Sequence, residues 1–292
     1  MAVGHYARCD EGVNMTGRSR LLLMIGATAI ACMTTPSRHA TTVGAQGVVL
    51  WSADHEEPGE TDWYFPGGVN FGGGEFDSGC AGTTFTVYDD DPNTPNIPAP
   101  PGGGAFGLDL RMTAPCGTEI ASGTRLFRWK EPIEHPDLYY KVWYYFPQTY
   151  TLIGNPASWF WNIFGWKSKT PNPPRNETFW HVNVYNRPGD TRMFLQLRDA
   201  QTGEAPPALA QIDVPVNRWF YLEAYYESRE TTTGRVTIWQ GDEESRTLLW
   251  DMTGVQTRLA GGWTEWYVSN YGTGLDTQPA HIAIDNAEIR LP

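Results

Sequence analysis

The segment WFWNIFGWKSK at 159–169, followed by FWHVNVYN at 179–186, indicates how this chain folds. Both segments are rich in aromatic and β-branched residues, which favour strands. Polar and apolar side chains alternate along the second segment, and a period of two is typical of a strand with one buried face. The two segments therefore predict neighbouring strands of a sheet that is apolar on one side and polar on the other.

Similar short runs recur along the 292 residues, separated by clusters drawn from 31 Gly, 22 Pro and many Asn and Asp. Neither a repeat of 20–50 residues nor helical periodicity is visible. The predicted strands are Gly47–Ser52, Thr83–Tyr88, Ala105–Met112, Arg125–Trp129, Tyr139–Phe146, Trp159–Lys167, Trp180–Tyr185, Arg192–Leu197, Trp219–Glu227, Gly234–Gln240, Thr247–Met252, Trp263–Tyr271 and His281–Arg290. The sequence predicts an all-β fold: one antiparallel β-sandwich or jelly-roll domain at 46–292, with long loops at 89–104 and 169–177.

The first 45 residues are typical of an export leader. Arg18 and Arg20 precede the apolar run Leu21–Cys32, which is too short to span a membrane. The run ends in AIAC at 29–32, which loosely resembles a lipoprotein cleavage box, and ordinary cleavage near Ala45 is the alternative. We expect a bacterial protein that is secreted, periplasmic or at the cell surface, with lipid anchoring if the first alternative holds, and no transmembrane segment.

Charge is distributed unevenly. The chain has a net charge of −12, yet residues 125–198 hold ten Lys and Arg against five Asp and Glu, a local balance of +5. A nucleic-acid binder would need a broad basic face, so the acidic balance argues against that class. A local basic surface interleaved with Trp and Tyr suits an extended, hydroxyl-rich, anionic ligand, and we expect a polysaccharide bound by a monomeric protein.

Two cysteines, Cys80 and Cys116, follow the leader. An even pair in an exported protein predicts a disulfide, with two free buried thiols as the alternative.

The period-two pattern sorts side chains into faces. The expected sets are His181, Asn183 and Tyr185 on one strand, Trp161, Ile163, Gly165, Lys167 and Lys169 on the preceding strand, and Tyr267, Ser269 and Tyr271 on a later strand. Arg125 and Arg128 lie on opposite faces of their strand, so at most one points towards a ligand, and Arg128 is the choice that we make here.

Several phrases carry a resemblance to a known family. They are VVLWSADHEEPGETDWY at 48–64, RLFRWKEP at 125–132, YYKVWYYFP at 139–147, WFWNIFGWKSK at 159–169, VNRWFYLEAYY at 216–226, GRVTIWQGDE at 234–243, WYVSNYGTG at 266–274 and HIAIDNAEI at 281–289. In strand order and phrasing the chain resembles the heparin-lyase-I-like, alginate-lyase-like and glucuronan-lyase-like polysaccharide lyases. The resemblance implies a concanavalin A-like β-jelly roll that cleaves acidic glycans by β-elimination in a concave sheet groove.

In that family a Tyr in an Asn-Tyr or Gly-Tyr phrase of a late strand acts as acid or base, and Asn270-Tyr271 matches it. A central-strand Gln-x-His is replaced here by Gly165-Trp166-Lys167, so we expect His181 and Asn183, on the neighbouring strand, to supply the missing functions. The predicted catalytic residues are Tyr271, His181 and Lys167. The predicted substrate-binding residues are Asn183, Tyr185, Arg128, Trp161, Lys169 and Asn270.

No cofactor is required for this chemistry, although acidic residues suggest a structural ion. Glu57 follows the first strand and Asp285 lies in the last, and first and last strands commonly pair in jelly rolls. Carboxylates are the ligands that Ca²⁺ prefers, so a calcium site is predicted, with a plain acidic surface loop as the alternative.

Two other functions stay open at this point. One is a non-catalytic carbohydrate-binding module of the same fold, which the missing Gln-x-His favours. The other is a glycoside hydrolase, which needs two carboxylates flanking the scissile bond. Glu223 and Glu227 are the nearest strand carboxylates for that role.

Overall fold

The structure, a computed structural model, describes residues 47–56, 61–64, 73–78, 81–87, 96–112, 122–129, 135–152, 160–187, 189–202, 212–276 and 279–292. The leader at 1–45, the pair Cys80 and Cys116, and Glu57 lie outside the described residues. The disulfide and the export signal therefore stay predictions.

Within the described ranges the chain forms fourteen strands and one short 3-10 helix at Thr61–Trp63. The strands are β1 (Val49–Ala53), β2 (Gly73–Ser78), β3 (Ala81–Val87), β4 (Phe106–Met112), β5 (Ser122–Trp129), β6 (Asp137–Tyr145), β7 (Trp161–Pro171), β8 (Pro174–Asn186), β9 (Met193–Asp199), β10 (Trp219–Glu227), β11 (Gly234–Gly241), β12 (Arg246–Val255), β13 (Trp263–Gly272) and β14 (Ala280–Arg290). Every predicted strand is present. Only β2 was missed, because its sequence GGEFDS has no apolar alternation.

The strands form two antiparallel sheets, so the predicted β-sandwich of jelly-roll type is confirmed. One sheet has the order β12-β11-β10-β6-β14-β4-β3, with β1 paired to the far half of β14. The other has the order β2-β5-β13-β7-β8-β9. We call these the eight-stranded and the six-stranded sheet.

The segment 169–177, predicted as a loop, is instead a hairpin. β7 runs to Pro171 and β8 begins at Pro174, so two residues connect the strands. Three Pro residues and two Asn residues favoured a loop in the sequence. The ladder nevertheless continues to the pair Pro171 and Pro174 at the tip, because β-strands tolerate Pro at their ends.

Aromatic side chains fill the space between the two sheets. Trp166 of β7 stacks on Tyr226 of β10 with ring centroids 4.3 Å apart and an interplanar angle of 15°. Trp266 of β13 packs against Tyr140 of β6 at 5.3 Å. Each pair joins one sheet to the other, and all four side chains are buried. Burial of rings this large supplies much of the free energy that holds the layers together.

A smaller apolar cluster lies on the other side of the eight-stranded sheet. Ile97 packs there with Trp143, Tyr145 and Trp219, and the indole N–H of Trp219 donates to the carbonyl of Pro98 at 2.5 Å. The described end of the predicted loop 89–104 thus covers part of this sheet. None of the described residues forms a helix long and apolar enough to cross a membrane.

Replacing Trp166 by alanine should lower the free energy of unfolding by about 3–5 kcal/mol, because it removes a fully buried ring and leaves a cavity between the sheets. Urea unfolding followed by circular dichroism measures this loss. Trp239→Ala is the matched control, since Trp239 is only half-buried, and it should cost less than half as much. Equal losses for the two variants would contradict the packing described above.

Candidate functional site

Polar side chains gather on the face of the six-stranded sheet that is turned away from the core, which we call the outer face. Along β13 the alternation is regular: Trp266 and Val268 are core residues, while Tyr267 lies on the other side with Ser269 and Tyr271. The outer face of this strand is therefore the one that the sequence predicted.

β8 follows the prediction as well. Val182 and Val184 are in the core, so His181, Asn183 and Tyr185 share the outer face. In register, His181 lies opposite Arg198 of β9, and Asn183 lies opposite Gln196. The amide of Asn162 donates a hydrogen bond to the amide oxygen of Asn183, which links β7 to β8 on this face.

The alternation predicted for β7 is wrong at its beginning. The register of β7 shifts against both neighbouring strands between Asn162 and Phe164, so Ile163 interrupts the period of two. Trp161 consequently faces the core, where it is 1% exposed and packs on Phe146 and Tyr150. It cannot stack on a sugar, and the sugar-binding role predicted for it is wrong.

Asn270 is also a core residue, which contradicts its predicted contact with substrate. Its amide nitrogen donates to the carbonyls of Leu110 and Ala280 at 2.8 and 3.1 Å, and its oxygen accepts from the indole of Trp161 at 2.8 Å. The side chain is 0% exposed. A fully hydrogen-bonded buried amide is a structural element, because few of its polar atoms are left for a ligand.

The choice of Arg128 over Arg125 as the arginine that points towards a ligand is also wrong, because Arg128 lies on the core face of β5. Arg128 shares its face with the core residue Leu126, and its guanidinium donates to the carbonyls of Asp62 and Trp63 at 3.4 Å each. Arg125 is the arginine on the outer face. Period-two alternation placed Arg125 and Arg128 on opposite faces, but it did not indicate which of the two faces is turned towards the core.

Arg125 lies on the outer face, on β5, the second strand from one edge of the sheet. In register it is opposite Ser269, and its guanidinium carbon is 4.4 Å from the ring centroid of Tyr267 and 4.9 Å from that of Tyr271. The side chain is 8% exposed. Its Nε atom is buried and has no hydrogen-bond partner among the described residues. A desolvated guanidinium with a free donor is a strong site for a carboxylate.

Tyr267 and His181 meet over Gly165. A β-carbon on Gly165 would be 2.7 Å from the Tyr267 hydroxyl and 2.8 Å from the β-carbon of His181, so only glycine fits beneath them. Within the described part of the chain, neither the hydroxyl of Tyr267 nor Nδ1 of His181 has a hydrogen-bond partner, although both are buried. Unpaired buried polar groups are costly, so each one calls for a partner such as a ligand or an ordered water.

The electrostatics assign a protonation state to both groups. Burial, assisted by the charges of Arg198 and Arg125, lowers the pKa of His181 to about 3. His181 is therefore a neutral imidazole near pH 7 and adds no positive charge to the face. Burial also raises the pKa of Tyr267 above its ordinary value, so its hydroxyl stays protonated and is a hydrogen-bond donor.

Lys167 lies on the outer face but at a distance from Tyr271. It is opposite Glu265, whereas Tyr271 is opposite Asn162, six residues further along β13. Six residues of strand span roughly 20 Å. The three predicted catalytic residues thus share one face, yet Lys167 and Tyr271 do not contact the same atom of a substrate. Burial and the charge of Arg125 lower the pKa of Lys167, while Glu265 raises it.

Lys169 and Tyr185 mark opposite ends of this face. Lys169 is opposite Asn176 near the tip of the β7–β8 hairpin, and Tyr185 is opposite Phe194 at the other end of β8. Both are half-buried. The nine residues that separate Asn176 from Tyr185 span roughly 25–30 Å, so the two predicted contacts belong to different parts of a long ligand.

The predicted calcium ligand Asp285 is engaged within the fold. The indole N–H of Trp63 donates to Nε2 of His55 at 3.0 Å, so Nδ1 carries the proton and donates to Asp285 at 3.2 Å. The backbone N–H of Asn286 donates to the same carboxylate oxygen. Across the described ranges no group of three or more His, Cys, Asp or Glu side chains could hold a metal ion. The calcium site stays a prediction.

Three outer-face residues were not selected from the sequence: Arg125, Tyr267 and Glu265. Tyr267 and Glu265 lie four and six residues before Tyr271, so the period of two was a signal for both. We name the set Arg125, Lys167, His181, Glu265, Tyr267 and Tyr271 the Gly165 cluster.

No protein-family model matches the chain, and no curated protein is similar to it in sequence. Among solved structures, the fold is similar to an endo-β-1,4-glucuronan lyase from the fungus Trichoderma reesei. The TM-score is 0.55 at 10% identity, over 84% of this chain and 96% of that one.

Two further structures are similar at lower scores. They are the alginate lyase of Aplysia kurodai (TM-score 0.48, 10% identity, 65% of this chain and 84% of that one) and a GH131 β-glucanase catalytic domain from Podospora anserina (0.42, 14%, 71% and 85%). The likeness to the glucuronan lyase shows a shared fold, and the residues on the outer face carry the argument about activity.

The neutral state of His181 has a consequence for stability. The unfolded chain protonates this imidazole below pH 6.5 while the folded protein does not, so its contribution to stability is present above pH 6.5 and is lost as the pH falls towards 3. The loss is at most about 1.4 kcal/mol per pH unit. His181→Gln should flatten the fall in urea-unfolding free energy between pH 6.5 and 4.5, and the exposed control His135→Gln should not. An unchanged slope in the first variant would contradict a buried neutral His181.

Proposed function

We propose that this protein binds a polysaccharide containing uronic acids on the outer face of the six-stranded sheet and cleaves it by β-elimination. The observation that carries the proposal is the position of Arg125: a buried cation with an unpartnered Nε, in contact with two tyrosine rings. Such an arrangement is suited to a carboxylate beside a proton-transferring phenol.

Binding is the first step. Arg125, Lys167 and Lys169 lie on one face of a chain whose net charge is −12, so they attract an anionic chain to that face. Arg125 donates to the carboxylate of the sugar that reacts. The cations nearer the hairpin hold carboxylates of neighbouring sugars, and Asn162 and Asn183 offer amide groups to hydroxyls.

Proton abstraction is the second step. The hydrogen on C5 of a uronate is weakly acidic because it is adjacent to the carboxylate. Arg125 stabilises the negative charge that develops when the proton leaves, and the buried ring of Tyr267 packs against its guanidinium. Tyr271, the half-buried phenol of the cluster, is the general base that takes the proton.

Bond cleavage completes the reaction. The electrons of the C5–H bond form a double bond between C4 and C5, and the C4–O4 bond breaks. Tyr271 returns the proton to the departing oxygen, so the base is restored and one unsaturated end and one new hydroxyl are formed. Neutral His181 orients a sugar hydroxyl or a water through Nδ1, and it carries no charge in this scheme.

The hydrolase alternative is weakened by where the carboxylates lie. Glu223 is on the eight-stranded sheet and is held by Arg246 and Arg290. Glu227 is on the same strand four residues along. Among the described residues of the Gly165 cluster, Glu265 is the sole carboxylate, whereas hydrolysis needs two. A binding module without catalysis is the competing proposal, and it is favoured by Gly165 and Lys167 standing where the family has Gln and His.

Incubating the mature protein with glucuronan, alginate and other uronic acid polymers should raise the absorbance near 235 nm as unsaturated ends form. Tyr271→Phe should lower that rate by about 10²–10⁴-fold, because the proton acceptor is lost while the ring remains. Retained glycan binding shows that the variant is folded. Binding without any absorbance change in the native protein would favour the module, and new reducing ends without absorbance would favour a hydrolase.

Arg125 and Arg128 form a matched pair for a second test. Arg125→Gln should lower the rate by about 10²–10³-fold, since it removes the cation beside the developing charge. Arg128→Gln should keep the rate of the folded protein and lower its thermal stability, because it loses contacts within the fold, to Asp62, Trp63 and the ring of Trp51. The opposite ranking of the two rates would contradict the placement of the site on the outer face.

A further inference from the structure

Glu265 places a carboxylate among the cations of the outer face. It lies on β13 two residues from Tyr267 and directly opposite Lys167 of β7. Opposed residues on paired strands have Cβ atoms about 4.5–5.5 Å apart. The Glu265 side chain is 4% exposed, and it has neither a hydrogen bond nor an ion pair with any residue in the described ranges.

Among the residues that the structure describes, the charged groups that face Glu265 are all cations. They are Lys167 and Lys169 on β7 and Arg125 on β5, while Tyr267 on its own strand is a protonated phenol. Burial raises the pKa of Glu265 to about 7, and the three cations oppose this shift. Burial is the larger effect, so the carboxyl group is half ionised near neutral pH.

A glycan carboxylate that binds to the same cations lies close to the carboxylate of Glu265. Two ionised carboxylates in one poorly solvated cluster repel each other. The state of lower free energy is the one in which one of them is protonated. The glycan acid is much the stronger of the two, so the proton goes to Glu265. Neutral His181 on β8 does not compete for it.

We propose that Glu265 is a specificity-determining residue of the outer face, which takes up one proton when a uronate carboxylate binds, so that glycan binding and proton uptake are coupled. This rests on the proposed function and adds a condition to it: the face prefers polyanions in neutral to mildly acidic surroundings. Coupling of this kind is reciprocal, because a bound glycan holds the proton on Glu265 as firmly as that proton favours the glycan.

The sign of the pH effect follows. Below pH 7 Glu265 is already protonated, so glycan binding takes up few protons and the affinity for the glycan does not change with pH. Above pH 7 Glu265 is ionised in the free protein, so the binding of each glycan requires the uptake of a proton from solution. Affinity should then fall by up to about tenfold per pH unit between pH 7 and 9.

The test is calorimetric titration of the Tyr271→Phe protein, which leaves the glycan intact, with glucuronan and alginate tetrasaccharides. Binding heats measured at pH 8 in buffers of different ionisation enthalpy should give uptake approaching one proton. Glu265→Gln in the same background should abolish the uptake and bind about tenfold more tightly at pH 8. Glu227→Gln, on the opposite sheet, should behave like its parent.

Binding with no proton uptake and a flat affinity from pH 6 to 9 would overturn this inference and leave the proposed function standing. Absence of binding to either glycan at any pH would remove the proposed function, and this inference with it. The buffer series on the parent protein decides the matter even if Glu265→Gln does not fold.

Discussion

The buried amide of Asn270 fixes the register on which the outer face depends. From β13 in the six-stranded sheet it donates to Leu110 and Ala280 of the other sheet and accepts from Trp161 of its own. A slip of β13 by one residue would expel this amide from its partners and turn Tyr271 into the core. Because an unpaired buried amide is costly, the hydrogen bonds of Asn270 hold Tyr267 and Tyr271 on the outside.

The outer face combines burial with incomplete pairing. Arg125, His181 and Tyr267 each keep a buried polar atom without a described partner, and they lie together on one face. The buried Nε atoms of Arg128 and Arg290 also make no hydrogen bond within the described residues, although both guanidinium groups donate through their other nitrogens. The carboxylate of Glu223, in contrast, is paired with Arg246 and Arg290. Low exposure strengthens every electrostatic interaction in the Gly165 cluster. It also keeps His181 neutral and raises the pKa of Glu265 to about 7. The same desolvation therefore prepares the face for an anion and makes its charge sensitive to pH.

Much of the fold followed from sequence, because its signals are local. Runs of aromatic and β-branched residues predicted thirteen strands, and alternation assigned the faces of β8 and β13. The errors arose where a local pattern is not sufficient. The interruption at Ile163 turned Trp161 inwards, and it depends on pairing with two other strands. Alternation separated Arg125 from Arg128 but could not say which faces the core, since Leu126 and Phe127 are both apolar. Burial, which made Tyr267 and Glu265 notable, is a property of the assembled sheet.

The central claim is that a uronic acid carboxylate binds to Arg125 on the six-stranded sheet. Nitrogen-15 NMR of the arginine Nε–H groups during titration with glucuronan and alginate tetrasaccharides tests it most directly, because the Nε of Arg125 is buried and unpartnered in the free protein. The account predicts that the Arg125 signal shifts markedly and exchanges more slowly with water, while those of Arg246 and Arg290 on the other sheet stay in place. A shift confined to Arg246 and Arg290, with Arg125 unchanged at saturation, would contradict it.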